Sequence, residues 1–177
     1  MSVEKYHPAL VVLHWIIALV LIVALTMGTF VLEPMANDSA EKVDALKGHM
    51  IAGILLLSLM LIRLIIKVKT QKPTRSSTGN ALLDKLSMAT HHGFYFFVIL
   101  MALSGITLSI VAGLPDIVFA GSAESLPKDF HEFVPRIVHG IIAKILIIMV
   151  IAHIAGALYH QYVLKDNLIA RMKFGKR

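Results

Sequence analysis

The sequence predicts an all-α membrane protein folded as an antiparallel bundle of four transmembrane helices. Of its 177 residues, 57% are hydrophobic and 16% are charged, and the mean hydropathy is +0.78. Soluble domains contain about 45–50% apolar and about 25% charged residues. Four long, nearly uncharged stretches stand between the polar segments, and the alternation typical of a transmembrane β-strand is missing from them. The composition therefore suits a lipid bilayer rather than water.

The four apolar stretches are the predicted spans of a single domain that covers residues 1–177. A helix needs roughly 20 apolar residues to cross a bilayer. The second stretch reaches that length only if Arg63 snorkels or meets an anionic partner. The first is longer than the roughly 7–15 apolar residues of a signal peptide, so we expect it to be retained. The predicted spans are about 9–32, 46–66, 89–112 and 137–163.

The distribution of charge predicts the orientation of the bundle. Segments 33–47 and 113–136 each carry a net charge of −2, whereas 63–87 carries +5 and 164–177 carries +4. Positively charged connections stay in the cytoplasm, so both termini are predicted to lie there. The total net charge of +6 is clustered beside the apolar runs. It therefore indicates contact with the head groups of a lipid bilayer and no nucleic-acid partner.

Histidines recur at matching depths in the predicted spans. His139 and His153 are 14 residues apart in the fourth span, which is nearly four turns, so both project from one face about 21 Å apart. His14 in the first span lies at the depth of His153, and His49 opens the second span at the depth of His139. Ionisable groups in hydrocarbon are costly and usually functional. We therefore predict two pairs: His14 with His153 near the cytoplasm, and His49 with His139 near the periplasm.

These pairs predict that the bundle encloses two b-type haems. Iron accepts axial imidazoles from facing helices, and two of them complete its coordination, which favours electron transfer over oxygen binding. The absence of cysteine excludes covalent haem attachment and iron–sulfur clusters. Gly28 and Gly105 fall at the depth of the outer pair, where the face of a haem requires small residues. Arg63 falls at the depth of the inner pair and is predicted to bind a haem propionate.

Two more histidines are candidates near the cytoplasmic side. His91 is predicted to hydrogen-bond a propionate or a quinone, and in an alternative assignment it replaces His14 as a ligand. His160 follows His153 by one heptad, which places it beside the inner haem or a quinone head group. A histidine with its polar edge in interfacial water is the simpler alternative for both.

The order and spacing of these motifs resemble the bacterial cytochrome b561 family over nearly the whole chain. This resemblance implies a di-haem protein of the bacterial inner membrane that exchanges electrons with the quinone pool. It implies the same ligands, His14 with His153 and His49 with His139. Members similar to this chain are associated with oxidising superoxide at the periplasmic face and reducing ubiquinone, whereas others carry electrons for separate redox enzymes. The shared motifs are His14-Trp15, Lys47-Gly48-His49, Leu103-Ser104-Gly105, the series His139, His153 and His160, and the tail 165–172.

The resemblance predicts an oxidoreductase or electron carrier whose partners are membrane quinone and either superoxide or a periplasmic redox partner. The acidic outer segments oppose the attraction of an anion. Arg136, one turn before His139, is predicted to form a local positive entrance there together with Lys128. Two alternatives remain: a membrane-anchor subunit for a separate redox enzyme, and a metal or proton transporter lined by histidines.

Overall fold

Helices are the regular secondary structure of the residues that the computed structural model describes, which are 5–71, 73, 77–122 and 124–173. No strand occurs among them. Lys72, Arg75, Lys176 and Arg177, four of the basic residues counted for the orientation, lie outside the described residues. The α-helices are α1 (Pro8–Thr26), α2 (Ala40–Lys69), α3 (Ala81–Val111), α4 (Leu114–Val118) and α5 (Val134–Tyr159).

Four helical segments are long and apolar enough to cross a membrane. Two of them include π-helical extensions, Met27–Leu32 after α1 and His160–Leu164 after α5. The predicted all-α, four-helix membrane fold is thereby confirmed. The end where Tyr6 and Arg171 meet is called the inner end, and the opposite end the outer end, after the predicted orientation. The four segments are Pro8–Leu32, Ala40–Lys69, Ala81–Val111 and Val134–Leu164.

The helices α2 and α3 begin before the apolar spans that hydropathy identifies. Ser39 caps α2, its side chain accepting a hydrogen bond from the backbone N–H of Lys42. The side chain of Asn80 caps α3 by accepting hydrogen bonds from two backbone N–H groups of the first turn. Such caps satisfy the free N–H groups of a helix start. The caps allow each helix to begin with polar residues, which a prediction based on apolar stretches leaves outside the helix.

The bundle packs around an apolar centre to which α1, α2, α3 and α5 all contribute. The helix α2 lies between α1 and α3, and α3 also packs against α5. Leu146 of α5 is fully buried in this centre. The outside is apolar as well, with side chains such as Leu19 and Ile148 each 66% exposed. Apolar side chains on both the inside and the outside are expected of helices that face lipid. The buried members are Ile17, Leu21, Ala24, Leu25, Leu56, Met60, Val98, Ile142 and Leu146.

A separate apolar cap closes the outer end. Gly113, with φ of +64°, reverses the chain between α3 and the short helix α4. Lys42 is buried beneath this cap, where its ammonium donates hydrogen bonds to the carbonyl of Met35 at 2.7 Å and to the side chain of Asn37. The buried cap residues are Ala112, Leu114, Ile117, Val118, Leu126 and Phe130. Segment 113–136 is therefore more ordered than a plain loop.

Candidate haem sites

The outer site is formed by His49 of α2 and His139 of α5, whose ring centres are 6.1 Å apart. Two glycines border it. A Cβ at Gly28 would lie 3.3 Å from His49 Cε1, and a Cβ at Gly105 would lie 3.1 Å from His139 Cε1. These distances are tighter than ordinary contacts, so larger residues would press on the rings. The structure thus brings together the four residues that the helical spacing assigns to this depth.

Hydrogen bonds distinguish the two imidazoles of the outer site. The hydroxyl of Ser104 donates to the carbonyl of Met101 at 2.8 Å and lies 3.0 Å from His139 Nδ1. Because its one hydrogen is used, the hydroxyl accepts from Nδ1–H, which leaves Nε2 of His139 as the metal-binding nitrogen. His49 Nδ1 is buried and has no hydrogen-bond partner among the described residues. His49 therefore lacks the hydrogen bond at Nδ1 that orients the ring of His139.

The inner site contains three imidazoles. The ring centres of His14 in α1 and His153 in α5 are 6.1 Å apart, and that of His91 in α3 lies 5.4 Å from His153. His91 Nδ1 donates to the carbonyl of Ser87 at 2.7 Å, so its Nε2 is the free nitrogen. The ring of Phe94 packs edge-on against His153 at 5.5 Å. Both the predicted pair and its alternative, with His91 in place of His14, are compatible with these distances.

Arg63 lies at the inner end in a network that the sequence did not predict. Its Nε donates to the hydroxyl of Tyr95 at 3.1 Å, and a terminal nitrogen donates to the carbonyl of Leu10 at 2.9 Å. The ammonium of Lys67, one turn further along α2, lies 4.2 Å from the centre of the Tyr95 ring. Two cations held around one tyrosine form a suitable partner for a carboxylate such as a haem propionate.

The residues at both heights fit a b-type haem. Two imidazoles that would bind one metal ion, with metal–nitrogen bonds of about 2 Å and ring centres ~1 Å behind each nitrogen, would have their centres about 6 Å apart. Both predicted pairs show 6.1 Å. No group of three or more His, Asp or Glu side chains suited to a bare metal ion occurs in the described part of the chain. Paired imidazoles suit an iron whose remaining ligands come from a porphyrin.

Comparison with known proteins decides the family. The model of the prokaryotic cytochrome b561 family matches residues 5–175. The chain belongs to this family. It is 27% identical over 177 residues to the probable superoxide oxidase CybB of Yersinia pestis, covering 98% of both chains. It is 28% identical over 180 residues to cytochrome b561 homolog 1 of Escherichia coli K12, covering 96% of this chain and 97% of that one.

Family membership makes the chain a membrane electron carrier whose cofactor is haem b. Its helical architecture follows from the four apolar segments described above. The predictions of a cytochrome of this family, of electron transport and of a transmembrane bundle are confirmed.

In this cytochrome b561 family member, Arg136 is not the free cation that a positive entrance requires. Its guanidinium pairs with the carboxylate of Glu33, and its side chain is only 20% exposed. His131 lies 3.5 Å from the same carboxylate. Hydrogen bonds from the backbone and the side chain of His131 hold the pKa of Asp129 below its ordinary value. Of the two predicted entrance residues, only Lys128 is exposed.

His160 is buried at the inner end, with 8% of its surface exposed. Its Nδ1 lies 2.6 Å from Oδ2 of Asp166 in the tail. Reasoning from sequence did not connect these residues, and it gave Ser104 and Tyr95 no role at either site. One feature of the sequence could have suggested a role for Ser104, because it stands next to Gly105 in a motif shared with the cytochrome b561 family. Asp166 belongs to the tail motif, but only the fold of the tail shows its partner.

Proposed function

We propose that this protein carries electrons across the bacterial inner membrane through two b-type haems, from a donor at the outer face to quinone at the inner end. His14 and His153 are the proposed ligands of the inner haem, and His49 and His139 those of the outer haem. One observation carries the proposal: histidine pairs with equal ring separations of 6.1 Å lie at both ends of one apolar bundle. Haem supplies one-electron redox chemistry at its iron when bound.

The chain's own residues hold each site in place. Ser104 fixes the tautomer and the orientation of His139 by accepting its Nδ1–H. The missing side chains of Gly28 and Gly105 leave room beside the outer imidazoles. Between the two heights, the buried side chains of Ile142 and Leu146 keep water out of the bundle centre. Because the two histidines of α5 are 14 positions apart, the two sites are about 20 Å apart.

Ubiquinone is the proposed electron acceptor, and its site is at the inner end. His160 supports this location because a buried imidazole with a carboxylate partner lies there, one heptad beyond His153. His91 is a second group near the inner pair whose Nε2 is free to hydrogen-bond a carbonyl oxygen. The apolar surface of the bundle gives a membrane quinone direct access from the lipid.

Superoxide is the proposed donor, and the Yersinia relative named a probable superoxide oxidase supports it. A specific observation favours a second candidate, a positively charged periplasmic redox protein. In the outer half, Lys42 is buried and Arg136 is paired with Glu33, so the exposed cations there among the described residues are Lys47, Lys128 and Lys144. The exposed acids of that end are Glu33, Asp38, Glu41, Asp44, Asp116, Glu124, Asp129 and Glu132.

The two donors are separated by measuring haem reduction in the purified protein as a function of ionic strength. We expect superoxide to reduce the haems and ubiquinone-1 to reoxidise them without any other protein. Because an acidic surface repels an anion, the rate with superoxide should rise as salt screens the repulsion.

A small basic redox protein with a reduction potential below that of ubiquinone serves as the protein probe, and salt should slow its reaction with an acidic surface. Rapid reduction of the haems by this probe with no reaction with superoxide would replace superoxide by a basic partner. If neither donor reduces the haems while a chemical reductant does, the proposed entry of electrons at the outer face is wrong.

A further inference from the structure

An apolar groove opens on the outside of the bundle, between the outer half of α2 and the end of α4. Its volume is about 420 Å³. The three branched side chains of α2 that line it are between 44% and 55% exposed, and the ring of Phe119, directly after α4, is 49% exposed. The hydroxyl of Ser58 donates within its own helix to the carbonyl of Ile54 at 2.9 Å. The groove therefore suits a hydrocarbon chain. The lining residues are Met50, Ile51, Ile54, Leu55, Ser58 and Phe119.

The groove follows one face of α2 over the depth of a single lipid leaflet. Lys47, Ile51, Leu55 and Ser58 are spaced by four, four and three residues, which places them on the same face of the helix. The rise from Lys47 to Ser58 is about 16 Å, close to half of the ~30 Å hydrocarbon core of a bilayer. Residues 48–62 contain no Lys, Arg, Asp or Glu, so Lys47 is the last charged residue before the apolar run. It marks the polar end of the groove.

The ammonium of Lys47 is held at this polar end. It lies 5.8 Å from the centre of the Phe119 ring, within the range of a cation–π contact. The side chain of Lys47 is exposed, and it forms no ion pair with a carboxylate of the described residues. Lys128 and Lys144, the other exposed cations of the outer half, belong to elements that contribute no lining residue to the groove. An exposed ammonium at the edge of hydrocarbon favours an anionic partner such as a phosphate.

Two acidic residues lie beside the same end of the groove. Asp44 precedes Lys47 by three residues on α2, and Asp116 precedes Phe119 by three residues, which is about one helical turn in each case. Both acidic side chains are exposed. A lipid with a net negative charge would satisfy Lys47 but would be repelled by these carboxylates. A head group with a phosphate and a primary ammonium provides a partner for both signs of charge, because the ammonium has three N–H donors.

We propose that the groove is a binding site for a phospholipid of the outer leaflet whose zwitterionic head group carries a primary ammonium, as in phosphatidylethanolamine. One acyl chain lies along α2 between Ile51 and Ser58. The phosphate binds Lys47, and the ammonium of the lipid lies towards Asp44 and Asp116. Apolar groups gain no hydrophobic energy by moving from lipid to an apolar groove, so the preference for one lipid arises at its head group. The bound lipid covers the contact between α4 and α2.

The test uses the full-length, haem-loaded protein in nanodiscs that contain equal amounts of phosphatidylethanolamine, phosphatidylglycerol and phosphatidylcholine. The protein is extracted again in mild detergent, and native mass spectrometry identifies the lipid that stays bound. We expect one phosphatidylethanolamine per chain, enriched at least fivefold over each of the other two lipids. The haem content of each variant shows whether its fold is retained.

Changes at the polar end test the two contacts of the head group separately. Lys47→Gln should lower the bound phosphatidylethanolamine at least fivefold, whereas Lys47→Arg keeps the positive charge and should retain the lipid. Lys128→Gln, the matched change at an exposed cation away from the groove, should behave as the unchanged protein. The double change Asp44→Asn with Asp116→Asn should shift the bound lipid to phosphatidylglycerol, because the carboxylates that repel a net negative charge are gone.

A change at the deep end of the groove tests the position of the acyl chain. Ser58→Phe places a ring where the chain is proposed to end and should lower the bound lipid at least fivefold. Ile148→Phe, at a position of α5 that is 66% exposed on the outside of the bundle, should not change it. If Lys47→Gln loses haem, the comparison of Ser58→Phe with Ile148→Phe decides whether the groove holds the lipid.

Four outcomes would overturn the proposal. Equal retention of all three lipids by the unchanged protein would show that the groove contains only bulk lipid. Preference of the unchanged protein for phosphatidylglycerol would show that the acidic residues do not select the head group. Undiminished binding in a folded Lys47→Gln protein would show that the phosphate lies elsewhere. A ubiquinone that stays bound to the unchanged protein and is released by Ser58→Phe would make the occupant a quinone.

Discussion

At the scale of single residues, the orientation and basicity of each proposed haem-binding imidazole depend on the atom that accepts a hydrogen bond from its other ring nitrogen. A hydrogen bond from Nδ1–H raises the basicity of the other nitrogen and fixes the ring orientation. Ser104 provides this contact for His139, whereas His49 Nδ1 has no such partner among the described residues. The two imidazoles of the outer site are therefore unequal, and a change at Ser104 is expected to affect the outer haem alone.

We expect Ser104→Ala to raise the midpoint potential of the outer haem on the order of 50 mV. Losing the hydrogen bond makes His139 a weaker donor and disfavours the oxidised iron, and a tenfold shift of a one-electron equilibrium corresponds to about 59 mV. A redox titration that resolves the two haems measures this shift. The matched control is Ser58→Ala, since the Ser58 hydroxyl donates within its own helix to Ile54. A shift of the inner haem, or an equal shift in the control, would contradict the role of Ser104.

At the scale of elements, helical geometry explains which parts of the sites were predictable. A rise of about 1.5 Å and a rotation of about 100° per residue place His139 and His153 on one face of α5 at two depths. The same arithmetic places Gly105 beside the outer pair, where the structure has it. The helical periodicity of the sequence does not predict which side chains of neighbouring helices contact each other. The pairing of Arg136 with Glu33 and the hydrogen bond from Arg63 to Tyr95 depend on how neighbouring helices pack, so they appear only in the fold.

The extents of the helices were less predictable for a different reason. Hydropathy finds the segment that suits lipid, but a helix begins where its first N–H groups find acceptors. Ser39 and Asn80 provide these acceptors well before the apolar stretches start. The tail is a further case, because the turn that brings Asp166 to His160 uses left-handed residues that are not glycine. Asn167 belongs to a residue type that adopts this conformation more readily than most, whereas Lys165 does not, so the sequence gave only half of the signal for the turn.

A bulky residue on α3 at the outer depth tests the role of that helix face. We expect Gly105→Leu to remove the outer haem and keep the inner one, because even a Cβ would lie 3.1 Å from His139 Cε1. Thr107→Leu places the same leucine side chain two residues away, on the opposite face of α3, and should keep both haems. The haem content per chain and the optical spectrum report the result. Retention of both haems in Gly105→Leu would show that the outer haem does not lie against this face.

At the scale of the whole molecule, the bundle separates two ends of different chemistry by an apolar centre. The outer end exposes acidic side chains around a buried Lys42, and the inner end has Arg63, Lys67 and the enclosed His160. Such an asymmetry suits the proposed carrier, which takes electrons at one end and passes them to quinone at the other. A histidine-lined transporter would instead need polar groups continuing through the centre, where Ile142 and Leu146 are buried. The fold as a whole therefore favours the movement of electrons over that of ions.

The central claim is that four histidines hold two haems in two separate pairs. It is tested most directly by counting the haems and recording the reduced-minus-oxidised spectrum of the purified protein and of four alanine variants. We predict two haems per chain in the unchanged protein. His14→Ala and His153→Ala should each lose one and the same haem, and His49→Ala and His139→Ala should each lose the other. The account is contradicted if His14→Ala and His139→Ala lose the same haem. It is also contradicted if the protein folds without haem in cells with ample haem supply.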